Sequence, residues 1–414
     1  MAQDVSPKKQ PTELPVITAK TDSRDLLAKA KKQADQRGLD KYFIVDVDAH
    51  IGEGSCWPDV LKYIENPATR DAAFSFGDGT GQNAFLNDTP GLQWQSVHGR
   101  IPHGAGLKEP QSDKTVPRPV DLSRKCMDML GLDVQVFFPN GLLFLGMHPV
   151  PEMEVELATA YNRWIIEEIL PHEPRMKAML YLPFNTPSAA EETVRRFRGA
   201  KGVVGFLVTS TRHIPVHSNQ YMRLYAMLEE SGMPIGFHAH HNWHSDYTRQ
   251  LNRFMSMHAL SFTFSNMVHL TNWIVNGIPV RFPKLKTMWI ESGLAWLAFL
   301  AQRLDNEYLM RVSEAPLLKK MPSDYIRDMY FTLQPLETSN MKMTEATFDI
   351  IKADTQLLYA SDWPHWDFDT PGRLFDLPFL DDKARRNILG LNAAKLFNLD
   401  VPAKYQAAAR HAGE

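Results

Sequence analysis

Eight short apolar runs punctuate this chain, and most of the segments between them carry apolar residues three and four positions apart. The runs are Tyr42–Val47, Val134–Phe138, Ala178–Leu182, Val203–Val208, Pro234–Phe237, Lys286–Ile290, Met329–Thr332 and Leu357–Ser361. Each is too short for a buried helix. Each reads as a strand covered on both faces, which needs no alternation of apolar and polar positions. Helical spacing shows in Val155, Leu157, Ala158, Ala160, Tyr161, Trp164 and Ile165. It recurs over Glu191–Phe197, Tyr221–Leu228, about 247–276, Trp296–Leu304 and Asp382–Phe397. The Tyr221–Leu228 stretch runs on to Ser231-Gly232, a helix-ending pair. Strands alternating with helices predict a parallel α/β sheet, and eight of them predict a (β/α)8 TIM barrel.

The flanks and one interruption stand outside this rhythm. Residues 1–40 read as a polar N-terminal arm, 41–400 as the barrel and 401–414 as a C-terminal tail. Within the arm, Leu26, Leu27 and Ala30 mark a short helix expected to dock on a neighbouring subunit. After the first strand, a segment from about 66 to 120 is rich in Gly, Asn, Asp and Pro and reads as a long loop insertion. It contains Gly77-Asp78-Gly79, Asn87-Asp88 and Pro117-Arg118-Pro119. Loops of that length in a compact enzyme commonly serve as lids or binding loops.

Composition narrows the class. Hydrophobic residues make up 44% of 414, enough for a large core. Forty-five basic against 48 acidic residues give a net charge of −3, so there is no nucleic-acid footprint. No window is apolar for long enough to span a bilayer. The first 15 residues, with Pro7, Lys8, Lys9 and Pro11, lack the apolar stretch of a secretory signal. Cys56 and Cys126 are too few for a disulfide framework, so the expected location is the reducing cytoplasm.

Four of the runs lead straight into metal-binding residue types: Asp48 and His50, then His238, then Glu291, then Asp362. In a parallel barrel all strand carboxyl ends share one rim, so these groups can meet around one ion. Asp48 and His50 are two apart and share a face. Glu53 follows closely, as a further ligand or as a group orienting one. His238 sits directly at its strand end. His240, His241 and Trp243 lie on the outgoing loop and read as substrate-facing. The bland alternative for Glu291 is a buried salt bridge to Arg303 or Arg327, and for Asp362 a helix cap. His365, in the run Ser361-Asp362-Trp363-Pro364-His365, orients Asp362, moves a proton or touches substrate. The expected ligands are therefore Asp48, His50, Glu53, His238, Glu291 and Asp362, and the expected catalytic groups Asp362, His365 and Glu291. Mixed imidazole and carboxylate suits zinc, manganese or iron.

The stretch Asp46-Val-Asp48-Ala-His50-Ile-Gly-Glu53 resembles the first metal motif of the amidohydrolase superfamily. Three later stretches resemble its amidohydrolase-related branch, which includes aminocarboxymuconate-semialdehyde decarboxylase. These are Phe282-Pro-Lys-Leu-Lys286 leading to Glu291-Ser-Gly, Tyr359-Ala-Ser-Asp362-Trp-Pro-His365, and Ile388-Leu-Gly-Leu-Asn392-Ala-Ala-Lys-Leu-Phe397. The resemblance covers about 42–398 and implies a distorted TIM barrel, a divalent metal at its mouth and frequent dimers. Two positions depart from the family pattern. Asp48-x-His50 stands where His-x-His is usual, and Glu291 where the sixth strand usually ends in histidine. The added negative charge favours manganese or iron over zinc, and suits two cations held close together. In this respect the chain is similar to a small group of amidohydrolase-fold enzymes. These bind iron, or iron with manganese, and hydroxylate unactivated carbon with O2.

The leading expectation is a metal-dependent enzyme of the amidohydrolase-related class with one or two divalent ions. A metal-activated water or a metal-bound carboxylate would serve hydrolysis or non-oxidative decarboxylation of a small carboxylic acid. The alternative is a dinuclear iron or iron–manganese hydroxylase, with Glu53 and Glu291 completing the second site. A third reading is a non-catalytic subunit of a hetero-oligomer. The expected partners are a small-molecule substrate and further subunits, homo- or hetero-oligomeric, with neither nucleic acid nor membrane.

Overall fold

In the computed structural model the eight strands form one parallel sheet in the order β1 to β8. They are β1 Val45–Ile51, β2 Val134–Pro139, β3 Met176–Tyr181, β4 Val203–Thr209, β5 Ile235–His238, β6 Thr287–Ile290, β7 Tyr330–Thr332 and β8 Leu357–Leu358. The structure describes residues 17–18, 20–75, 109–209, 214–240 and 245–406. The sheet closes on itself. Val47 N donates to Tyr359 O (3.0 Å), Asp362 N to Asp48 O (2.7 Å) and His50 N to Trp363 O (2.6 Å). Ala49 and Trp363 form a parallel bridge. The result is a (β/α)8 barrel. β1 and β4 are buried along their whole length, as strands with a filled interior on one side and helices on the other must be. The helices Pro151–Trp164, Pro187–Phe197, Met222–Ser231, Phe254–Val275 and Ala295–Met310 follow β2 to β6 in turn.

Two strand carboxyl ends depart most from the sequence reading, and both differences shape the site. β1 runs on through Ile51, so Asp48 and His50 lie within the strand rather than beyond it. Neighbours on both sides sustain it: β2 pairs with Ala49, His50 and Ile51, and Trp363 takes the other edge. Between Asp46 and Ala49 the register to β2 slips by one residue, a bulge of the kind that re-aims side chains beside active sites. β8 is correspondingly short, and Tyr359 to Trp363 hold to β1 by the closing bonds.

The N-terminal helix packs one face on its own chain. Helix Ser23–Arg37 is capped by Asp22, whose Oδ1 accepts from Arg24 N at 3.0 Å, and ends at left-handed Gly38. Its stripe Leu27, Ala30, Ala34 is buried, and Arg37 reaches Gly372 O and Asp376. The region read as a long insertion has helical ends, Pro67–Ser75 and Arg118–Leu130. The second starts inside Pro117-Arg118-Pro119, because proline is tolerated in a first helical turn. Gly77-Asp78-Gly79 and Asn87-Asp88 lie outside the described residues. At the other end of the chain, Gly390 lies against the Phe43 carbonyl with no room for a Cβ, which lets the closing helix meet β1. Among the described residues no helix is long and apolar enough to cross a membrane.

Candidate metal centre

Five side chains from four strand ends converge at the carboxyl rim of the barrel. His50 Nε2 lies 3.1 Å from Asp362 Oδ1, 3.7 Å from Asp48 Oδ1 and 3.8 Å from Glu291 Oε2. His238 Nε2 lies 3.2 Å from Asp48 Oδ1 and 3.4 Å from Glu291 Oε2. Asp48, His50, His238 and Glu291 present donor atoms within 4.8 Å of one another, and so do His50, Asp362 and His365. All six residues are buried.

Backbone geometry aims these groups. Glu291 and Asp362 both have left-handed backbones, with φ of 50° and 62°. That conformation costs a non-glycine residue about 1–3 kcal/mol and persists only where the surroundings enforce it. For Glu291 they include its N–H bonded to Thr332 Oγ1 at 2.9 Å; for Asp362, the closing bond to Asp48 O. Each left-handed turn redirects a carboxylate across the barrel mouth as the strand ends.

The two histidines are set the same way. His50 Nδ1 is 2.9 Å from Pro139 O, and His238 Nδ1 is 2.6 Å from Ala239 O. A carbonyl only accepts, so each Nδ1 carries a proton and a neutral ring offers the lone pair of Nε2 to the cluster. Anchoring the far nitrogen of a ligand histidine on a carbonyl is how metal sites fix ring orientation.

The electrostatics call for a cation. Burial alone would push the His50 imidazole down, but Asp362, Glu291 and Asp48 outweigh it and hold it well above its ordinary value. Burial, with repulsion from Asp362, pushes Glu291 well above the usual carboxylate range. Asp48 Oδ2 and Glu291 Oε2 are buried and accept no hydrogen bond among the described residues. Leaving buried carboxylate oxygens unpaired is expensive, and a divalent ion satisfies them. Orphaned oxygens, two oriented imidazoles and a mixed N/O donor set thus fit a divalent metal.

His365 sits beside this cluster. Its Nδ1 is 2.6 Å from Asp362 Oδ1, and its Nε2 3.4 Å from Asn140 Oδ1. Burial, reinforced by His50, holds its pKa well below the ordinary imidazole value, so the ring is neutral.

The remaining expectations divide. Glu53 is buried but stands outside both donor groups: its oxygens accept from Asn140 N (3.0 Å) and Leu142 N (2.8 Å), tying β1 to the turn after β2. Both oxygens are thus engaged by backbone N–H groups, and the residue stands as a link between these segments. Glu291 forms no bridge to Arg303, which pairs with Glu307, nor to Arg327, which pairs with Asp324. His240 is buried against the Phe144 ring, centroids 4.3 Å apart, and belongs to neither donor group. His241 and Trp243 lie outside the described residues.

Several supporting groups escaped the sequence reading. Gln334 Nε2 donates to Asp362 Oδ2 at 3.3 Å, and Thr332 holds Glu291. Thr332 ends the seventh run and Gln334 stands two beyond it, so the strand-end rule applied to Thr332-Leu333-Gln334 would have found them. Asn140, just past β2, was open to the same argument.

Comparison with known proteins agrees with this fold. Residues 45–399 match the model of the family described as "Amidohydrolase". The gamma-resorcylate decarboxylase of Rhodococcus jostii (strain RHA1) is 22% identical over 295 residues, 68% of this chain and 88% of that protein. The 2,6-dihydroxybenzoate decarboxylase from Rhizobium superposes with a TM-score of 0.62 at 19% identity, over 87% of this chain and 100% of that one. A dihydroxybenzoic acid decarboxylase from Polaromonas sp. JS666, solved with manganese and the inhibitor 2-nitroresorcinol, gives 0.61 at 17% identity, over 88% and 99%.

Proposed function

The chain belongs to the amidohydrolase family, and from that premise we propose that it is a metal-dependent decarboxylase of a small aromatic carboxylic acid. The observation that carries this reading is the buried convergence of Asp48, His50, His238, Glu291 and Asp362, with one oxygen each of Asp48 and Glu291 accepting no hydrogen bond among the described residues. Those five residues would hold the divalent ion. When bound, it would act as a Lewis acid on the oxygens of the substrate and neutralise its charge. The substrate class is taken from the relatives, which are decarboxylases of dihydroxybenzoates.

Non-oxidative decarboxylation breaks the bond between ring carbon and carboxylate. The electron pair stays on the carbon, CO2 leaves, and one proton must reach that carbon. Asp362 and His365 are the groups placed to hold and deliver it. His365 Nδ1 lies within hydrogen-bond reach of Asp362 Oδ1 at 2.6 Å, and Gln334 steadies the other Asp362 oxygen. Both are buried, so the proton is held away from bulk water. The decisive experiment supplies manganese-loaded protein with 2,6-dihydroxybenzoate and related acids, and measures CO2 and the phenolic product. Release of neither from any member of the panel would sink the proposal.

One observation favours a second reading, the dinuclear hydroxylase. His50 is common to two donor groups, and three carboxylates exceed what one divalent ion neutralises. Glu53, committed to backbone N–H groups, would play no part in that second site. Elemental analysis after growth with iron separates the readings: about two equivalents of iron, or of iron with manganese, favour the hydroxylase, and one equivalent favours the decarboxylase.

A further inference from the structure

We propose that Ser123 and Asn140 form a hydroxyl-recognition pocket beside the metal centre, so that the substrate is an aromatic acid carrying a ring hydroxyl. A cavity of about 420 Å³ opens at the barrel mouth, with His50 of the metal cluster in its wall. That volume suits a small aromatic molecule. Pro119, Leu122 and Ser123 line one side of it. They lie three and four residues apart, so one face of helix Arg118–Leu130 forms that side. Asn140, in the turn after β2, and Trp363, in the segment that closes the barrel, also line it. Pro119, Leu122 and Trp363 offer a ring apolar surface.

The polar groups of the wall sort by what they already hold. The Glu53 oxygens accept from Asn140 N and Leu142 N. Ser55 Oγ donates to Gly52 O at 2.8 Å, and Arg118 Nη2 to Glu109 O at 3.2 Å. Ser123 differs. It is buried, at 5% exposure, yet its hydroxyl makes no hydrogen bond among the described residues. A helical serine ordinarily turns its hydroxyl back onto the carbonyl one turn earlier, and a buried polar group without a partner needs a reason. Asn140 is the second such group. Its Oδ1 lies 3.4 Å from His365 Nε2, and its Nδ2 makes no hydrogen bond among the described residues. Its main-chain N–H is pinned on Glu53 at 3.0 Å, so the amide is presented from a fixed turn. Two neutral groups on an otherwise apolar wall select the ligand chemistry. Neither carries a charge to reward an ion. A hydroxyl both donates and accepts, so it satisfies a serine hydroxyl and either end of an amide. An unsubstituted ring would leave both groups covered and unsatisfied, which is the costly case.

This inference rests on the decarboxylase reading for the aromatic acid itself, and the test separates the two. Manganese-loaded wild type, Ser123→Ala and Asn140→Ala are titrated calorimetrically with benzoate and with each monohydroxybenzoate. Wild type is expected to bind at least one hydroxybenzoate about tenfold or more tightly than benzoate. Each variant weakens that ligand about three- to tenfold and leaves benzoate within twofold, the range one neutral hydrogen bond supports. In turnover of 2,6-dihydroxybenzoate, Ser123→Ala raises KM and holds kcat within a few-fold. Metal content stays at the wild-type value. The ligand-free melting temperature of Ser123→Ala stays within a few degrees, because no protein hydrogen bond is lost; a larger fall exposes a protein partner and overturns the pocket. No preference for any hydroxybenzoate in wild type, unchanged binding of the preferred one in either variant, or equal loss for benzoate overturns it too. Hydroxyl-dependent binding without CO2 release keeps the pocket and defeats the decarboxylase. CO2 release with the hydroxyl preference intact in both variants does the reverse.

Discussion

Asp46 holds Ser361 by both of its donors: Oδ1 accepts from Ser361 N at 2.8 Å and Oδ2 from Ser361 Oγ at 2.6 Å. The same carboxyl accepts from Asp48 N (3.2 Å) and Gln135 Nε2 (2.9 Å). It thereby fastens β1 to the segment that closes the barrel, two residues before Asp48 and opposite the residue preceding Asp362. Two candidate ligands are positioned through one buried group.

Asp46→Ala strands those donors in the interior. Loss of the buried acceptor is expected to cost about 3–5 kcal/mol, and Asp46→Asn roughly half of that, since the amide oxygen still accepts. Urea unfolding measures both. A pH signature accompanies them. Burial, opposed by Ser361 and Gln135, pushes the Asp46 carboxyl to about 7. A raised folded pKa means stability that is present below the unfolded value of about 4 and lost as pH rises through about 7. The advantage of wild type over Asp46→Asn should therefore shrink between pH 4 and 8, and an advantage that grows over that range would refute the assignment.

Metal binding should release protons. His50 and Glu291 are both held above their ordinary values in the metal-free protein, and a ligand must give its proton up. The stability these groups lend the metal-free state is complete below their unfolded pKa values, about 4.3 for Glu and 6.5 for His, and disappears as pH rises through the raised ones. Apparent manganese affinity should thus climb with pH from about 6 upward, with one to two protons released per ion at neutrality. Calorimetry in buffers of different ionisation heat counts them, and a buffer-independent heat would contradict the site. His238→Ala should lower manganese affinity about a hundredfold or more by the same measurement.

His365 bonds to Asp362 yet stands apart from the donors around His238, so its role is separable from metal retention. His365→Asn is expected to keep full metal content and to lower kcat by about 10²–10³, the usual worth of a positioned proton-transfer group. The acid limb of its pH–rate profile should move as well. Metal loss in parallel with activity would recast His365 as a ligand.

The barrel was legible because buried parallel strands are continuous apolar runs, and a charged residue after such a run can only mark its rim. Asp48, His50, His238, Glu291 and Asp362 all followed from that rule. What it could not reveal was where each strand stops. β1 outruns its apolar stretch because two neighbours pair with it, and pairing partners are not written locally. Glu53 shows the limit of residue type as a guide. Its chemistry permits ligation, but Asn140 and Leu142, far along the chain, offer N–H groups that claim both oxygens. The left-handed backbones of Glu291 and Asp362 likewise answer to Thr332 and to Asp48 across the sheet rather than to their own neighbours.

Self-association is expected through helix Phe254–Val275. Its 22 residues include no Asp, Glu, Lys or Arg. Along one side it exposes Leu260, Phe264 and Val268, each four residues apart, and the helix Ala295–Met310 adds exposed Phe299. An exposed apolar stripe on a helix without Asp, Glu, Lys or Arg is unfavourable in water, and a second copy related by a twofold axis would cover it most simply. The helix also bears on the site, since His258 Nε2 lies 3.7 Å from Asp367 Oδ2 in the loop after Asp362. Leu260→Glu with Phe264→Glu should therefore convert an oligomer to a single 47.2 kDa chain by sedimentation. Both positions are partly exposed, so melting temperature at low protein concentration should change by only a few degrees. Activity per chain should fall as His258 loses its support. A wild-type protein that sediments as one chain at all concentrations would remove the basis for this interface.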